Sequence, residues 1–167
     1  MTTYHTAHTG LMRISGYASL FGQKDLGGDI VHRGAFASSI LSLKDGTLPM
    51  LFAHETKEPI GVWNRMFEDA TGLFVCGDIY LGTKHTDRTA RLVRGGALTG
   101  LSIGYRTLRS RPLNPGRALI ELELWEVSIV AFPMLRAARI TQIDAQIDDQ
   151  VDKKFTYEHP ISHRRTM

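Results

Sequence analysis

Ala118-Leu119-Ile120-Glu121-Leu122-Glu123-Leu124-Trp125-Glu126-Val127-Ser128-Ile129-Val130-Ala131-Phe132 is the longest strand signal in the chain, and its reading decides the fold. Side chains alternate across a strand, so Ile120, Leu122, Leu124, Glu126, Ser128, Val130 and Phe132 fall on one face. Glu121 and Glu123 fall on the other. Pro133, with no N–H to give a ladder, closes the segment. A strand of this length needs many neighbours, and the flanking sequence supplies them.

Toward the N-terminus, Leu98 to Leu108 reads as a strand, parted from the long one by the turn-rich Arg111-Pro112-Leu113-Asn114-Pro115-Gly116. Before it a helix is expected, with Thr86 as N-cap, Asp87 in its first turn and Gly95-Gly96 as its stop. Ile60–Phe67 and Leu73–Leu81, separated by a Glu68–Gly72 turn, form a hairpin pattern. Leu48 to His54 reads as a short buried strand. Phe36, Ile40 and Leu43 share one face of a short helix that Asp45-Gly46 stops. Leu11 to Phe21 is the first strand, broken at Gly22 and the Asp25–Asp29 turn, after which Ile30 and Val31 lead toward Phe36. Beyond Ile143 the apolar pattern fades into Asp144, Asp148, Asp149, Asp152, Lys153 and Lys154. The expected organisation is a flexible start over 1–10, one folded domain over 11–143 and a mobile tail over 144–167. Many short strands with two helices make the fold class α+β and β-rich, a barrel or curled sheet.

Composition sets outer bounds. The 167 residues suit one domain, and 43% hydrophobic with 22% charged residues is an ordinary globular balance. No run is long and apolar enough for a membrane helix. The polar start lacks the pattern of a secretory signal, so none is expected. A single cysteine, Cys76, excludes an intramolecular disulfide. The net charge of +3 falls well short of a nucleic-acid binder's basic footprint.

Three residues stand out chemically. In Gly100-Leu101-Ser102-Ile103-Gly104-Tyr105, the two glycines flank Ser102 on one strand face. That clears space for another backbone beside a hydroxyl, as a nucleophile needs, and equally suits a tight packing contact or a barrel bend. Glu126 is a carboxylate on a largely apolar face. It needs a partner there: a histidine that it orients, an arginine, or water at an edge. His54 ends an apolar run, where it reads as a structural residue or as a base. The adjacent Glu55 does not make a zinc motif, because position 58 of the H-E-x-x-H register is glutamate. The pairs His5 with His8 and His159 with His163 are isolated, so no metal or cofactor is expected. Cys76 sits in Leu73-Phe74-Val75-Cys76-Gly77, the setting of an inert buried thiol. Arg88, Arg91 and Arg94 form a basic helix stripe, a solvated face or a dock for an acidic segment.

In order, Gly16–Phe21, Gly28–Val31 with Gly34-Ala35-Phe36, Leu51–His54 with Pro59-Ile60-Gly61, Gly72-Leu73, Leu98–Tyr105 and Trp125–Val130 running into Pro133 resemble the prohead serine proteases of tailed bacteriophages. The resemblance covers about Leu11 to Ile143. It implies a mostly antiparallel β-barrel with peripheral helices, similar to the herpesvirus assembly proteases. It also implies a serine endopeptidase, needing no cofactor, that cuts the scaffold or the scaffold-like part of the capsid protein, and itself. Its partners would be the major capsid protein, the portal or prohead shell and a second copy of the chain. Its place would be the bacterial cytoplasm, inside the immature capsid of a phage or prophage. By the resemblance His54 is the base and Ser102 the nucleophile. Where the herpesvirus enzymes carry a second histidine, this chain offers Glu126 as the orienting acid, with Asp78 or Asp29 as alternatives. Arg136 and Arg139 are the candidates for an oxyanion role, against surface or salt-bridge roles. A silent assembly protein of the same fold is the competing reading.

Overall fold

The computed structural model describes residues 10–144. Residues 1–9 and 145–167, with the terminal histidine pairs and nearly all of the charged tail, lie outside the described residues. Eight strands and two helices follow in the order β1 (Leu11–Leu20), β2 (Ile30–Val31), α1 (Ala37–Ser42), β3 (Leu48–Phe52), β4 (Gly61–Glu68), β5 (Gly72–Tyr80), α2 (Lys84–Arg94), β6 (Gly100–Pro112), β7 (Arg117–Val130) and β8 (Arg139–Ile143).

The sheet runs β2-β7-β3-β4-β5-β1-β8-β6 and closes on itself, because β6 pairs with β7 along nearly its whole length. Closure removes most of the open edges that such an apolar sheet would otherwise expose, leaving free the edge of β6 beyond its single pairing with β8 at Gly100. Most pairings are antiparallel. The exceptions are β2 and β3, which both lie parallel to β7 and along the same edge of it, β2 at Ala118–Leu119 and β3 at Val127–Ile129. The long strand is thus the element on which the fold is hung, and the mostly antiparallel α+β barrel is as expected.

Local chemistry explains the turns. Asp69 makes the β4–β5 hairpin: its carboxylate accepts N–H groups from Thr71 and Gly72 and the hydroxyl of Tyr17 at 2.6 Å. The Tyr17 hydroxyl bond, aided by Gly72, holds that carboxyl below its usual range. At α2 the N-cap is Thr83, not Thr86. Thr83 and Thr86 form a reciprocal capping box, so Thr86 is its third residue. Both threonines could cap, and Gly82, whose N–H bonds Asp87, lets the chain enter a turn earlier. β6 runs on to Pro112, so only Leu113–Gly116 turn, with Leu113 N–H bonding Gly116 C=O. β8 was not legible as a strand, and β2 is only two residues long.

The alternation expected for β7 breaks twice, at Ile120, between the Arg109–Glu121 and Ser110–Leu119 pairs, and again at Trp125 beside the site. Gly104 faces Glu126 but Tyr105 faces Leu124, leaving Trp125 as an extra residue, a β-bulge. The bulge swaps the faces. Leu122 and Leu124 before it, and Val127 and Ile129 after it, all join the core. Glu126, Ser128 and Val130 therefore point away from the core, and do not share a face with Leu122 and Leu124. Phe132, expected on that face, lies past the strand end and is 93% exposed.

The core is a single cluster that includes Met12, Ile14, Phe36, Met50, Trp63, Leu101, Leu122 and Ile129. Trp63 is fully buried, and its indole N–H donates to Val127 C=O at 2.9 Å, tying β4 to β7 across β3. Trp63→Ala is expected to cost about 3–5 kcal/mol of stability, from the cavity and the lost indole hydrogen bond, measured by urea denaturation.

Candidate active site

The site starts where β3 ends. Phe52 pairs with Ile129, and Ala53 N–H donates to Ile129 C=O. The backbone then turns left-handed twice, at Ala53 (φ 49°) and His54 (φ 63°). Side-chain-bearing residues reach that region at a cost of about 1–2 kcal/mol each, and such strain gathers at functional sites. The turn lifts His54 over β7, where its N–H donates to Ser128 Oγ at 3.0 Å.

Its ring meets the glutamate. His54 Nδ1 lies 2.7 Å from Glu126 Oε1, and since a carboxylate only accepts, Nδ1 carries the proton. That tautomer leaves Nε2 with a free lone pair. The histidine side chain is 48% exposed and the glutamate side chain 10%. The second carboxylate oxygen, Oε2, accepts Ser128 Oγ–H at 2.8 Å. Among the alternatives read from the spacing, Glu126 therefore has the histidine as its partner.

Ser102 stands opposite Ser128 in the β6–β7 ladder, two matched pairs along from Gly104 and Glu126. Leu101 and Ile103 turn to the core, so Ser102, Ser128 and Glu126 share the face that His54 overhangs. Ser102 is 8% exposed, and its Oγ has no hydrogen-bond partner among the described residues yet is not sealed from solvent. No hydrogen bond joins it to His54. Catalytic hydrogen bonds are often long before substrate binds. The two glycines flanking it have distinct reasons. A Cβ at Gly104 would lie 2.2 Å from Glu126 Oε1, and one at Gly100 would meet Val130 C=O and the Pro133 ring. Gly104 clears room for the carboxylate, rather than for an incoming backbone.

The other candidates lie elsewhere. Asp78 is held by Arg13 at 2.8 Å and by Asn64, while Asp29 pairs with Arg117. Arg139 donates through Nε to Arg136 C=O and through Nη1 to Thr99 Oγ1, with its backbone opposite Gly100. Arg136 is exposed, and the hydrogen bonds of Arg139 go to Arg136 and Thr99 rather than to His54, Ser102 or Glu126. Cys76 sits on β5 between Ser15 and Arg65, and burial pushes its thiol up, away from the reactive thiolate. Arg88, Arg91 and Arg94 are exposed on α2. Among the described residues no cluster could hold a metal ion, and no helix is long and apolar enough to cross a membrane.

Two cavities flank the site. One, of about 270 Å³, runs from Ser102 past Ile103 and Tyr105 to Asp29 and Met134. The other, of about 280 Å³, is lined by Pro49, Leu51, His54, Pro59, Trp125 and Glu126. The first follows the edge of β6 turned away from β7, where β8 pairs only at Gly100.

Residues 2–153 match the family described as caudovirus prohead serine protease. The chain belongs to that family. It is 31% identical over 129 residues to the prohead protease of Enterobacteria phage HK97, covering 75% of this chain and 57% of that protein. With the prohead protease of Escherichia phage T5 it shares 28% over 127 residues, covering 74% and 59%. The matched stretch thus spans less than two thirds of either relative. A KSHV protease, solved in complex with a hexapeptide phosphonate inhibitor, superposes with a TM-score of 0.53 at 16% identity, over 78% of this chain and 64% of that one. At that identity the likeness shows the fold alone.

Sequence reasoning missed Ser128, which sits in full view two residues from Glu126 on the same face. A hydroxyl at i+2 from a buried carboxylate was the signal. Two outcomes test the geometry. Gly104→Ala is expected to part His54 Nδ1 from Glu126 by more than about 1 Å in a crystal structure, because a Cβ cannot share the carboxylate's position. Cys76 is expected to react with iodoacetamide at pH 7 roughly an order of magnitude more slowly than a free thiol, followed by mass spectrometry.

Proposed function

We propose that this chain is a serine endopeptidase of prohead maturation, with Ser102 as nucleophile, His54 as general base and Glu126 as orienting acid. The observation that carries it is the Nδ1-to-carboxylate bond of His54 and Glu126 on the face that holds Ser102. With Nδ1 protonated, Nε2 is the atom able to take the Ser102 proton as Oγ attacks the scissile carbonyl. Glu126 stabilises the imidazolium that forms, and the same Nε2 proton then goes to the leaving amine. Water hydrolyses the acyl-enzyme by the reverse roles.

The substrate fits an extended segment. The unpaired edge of β6 beside Ser102 offers backbone groups to a peptide strand, and the two cavities offer room for its side chains. The proposed substrates are the scaffold or scaffold-like segment of the major capsid protein, and the chain itself. The proposed setting is the interior of the immature capsid within the bacterial host, with the portal or prohead shell and a second copy of the chain as further partners. Arg136 or Arg139 would serve the oxyanion only if substrate draws one of them inward from its present bonds. The competing reading, a silent assembly protein, draws on the missing Ser102–His54 hydrogen bond.

Co-expression with the major capsid protein of the same phage distinguishes the two. The intact chain is expected to shorten the capsid protein, and Ser102→Ala to abolish the shift. Uncut capsid protein with the intact chain would favour the silent reading. Glu126→Gln is expected to lower the cleavage rate about 10²–10⁴-fold with the fold retained, scored by a peptide assay and circular dichroism. Near-full activity would remove Glu126 from the triad.

A further inference from the structure

We infer that Ser128 is a positioning residue, whose hydroxyl fixes the acid and the base relative to each other; this rests on the triad proposed above. Ser128 is fully buried, and the valence of its oxygen is used in a directed way. Its one proton goes to Glu126 Oε2, and a lone pair receives His54 N–H. The same oxygen thus holds the carboxylate's free end and the backbone of the residue whose ring the carboxylate orients. The three groups form a closed loop: His54 N–H to Ser128 Oγ, Ser128 Oγ–H to Glu126 Oε2, Glu126 Oε1 to His54 Nδ1.

Each leg answers a specific freedom. A glutamate has three side-chain torsions, and an ion pair at one oxygen leaves the carboxylate free to rotate about it. The bond at Oε2 removes that freedom. The backbone of His54 is left-handed without being glycine, so it needs an anchor outside its own turn to persist. The Ser128 hydroxyl supplies one. Ser128 faces Ser102 across the ladder, so the loop also sets the base at a defined distance from the nucleophile's strand. Ser128 itself is no competing nucleophile. It is sealed from substrate, and its proton is already committed to a carboxylate.

The test uses the full chain with a fluorogenic capsid-derived peptide and a fluorophosphonate. Ser128→Ala removes only the oxygen, and is expected to lower kcat about 30-fold with KM within about twofold, the range of one hydrogen bond to a charged group. The low-field proton resonance of His54 Nδ1–H should broaden or vanish, while circular dichroism stays native. Fluorophosphonate labelling of Ser102 should slow in parallel. Ser128→Cys, similar in volume with a weak donor, should fall between the two, and serves for the same readings if the alanine variant does not fold. A kcat within threefold of the parent overturns the inference. So does a fall in kcat with the Nδ1–H resonance unchanged, since that loss would be structural. Failure of the triad reading looks different: Ser102→Ala would keep its activity, whatever Ser128 variants do.

Discussion

A carboxylate almost out of water is the constraint to which the rest of this structure answers. An ionised Glu126 taken from solvent without partners would be prohibitively costly. Each of its oxygens therefore has a partner, one an imidazole and the other a hydroxyl. Those two partners dictate much of the surrounding backbone. β3 must run parallel beside β7 so that its end delivers His54 over the strand, and the turn there must be left-handed. β6 must present a residue without a side chain at position 104. Because β7 is shared by β2, β3 and β6, every one of these demands falls on a strand the barrel already holds rigid. Sites built on such elements keep sub-ångström order more readily than sites on loops.

The fold was legible because its signals are long-range repeats of short-range rules. Strand alternation, the Asp69 hairpin and the glycines after α2 each have a local cause, and the structure uses them nearly as read. What was hidden required knowledge of a neighbour. The bulge at Trp125 shows no glycine and no break in the pattern, so alternation alone runs straight through it and puts Glu126 on the same face as Leu122 and Leu124. Strands as brief as β2 exist only because β7 offers an edge to pair with, which no local pattern can announce.

The site was legible in its parts and not in its wiring. Ser102 could be noticed between two glycines, and Glu126 by its apolar company, although that company proved to be on the other side of the sheet. The inference of an unusual carboxylate survived the error because burial, not the particular face, was what demanded a partner. His54 had no comparable signal: its importance comes from a backbone conformation that residue identity does not encode. Ser128 is the plainest case. A serine in a strand is unremarkable until its neighbours on both sides are known to need a donor and an acceptor at one point.

The bulge makes β7 two strands in one. Just upstream of Trp125 the even-numbered Leu122 and Leu124 serve the core, and downstream the odd-numbered Val127 and Ile129 do. The packing half and the chemical half are consequently out of phase with each other, and residue 125 is the splice between them. Regular pairing straight through Trp125, with no residue bulged out, would leave the sequence untouched while turning Glu126 and Ser128 inward in place of Val127 and Ile129. In this family member the register of one residue separates a barrel with a working face from a barrel with charges in its core.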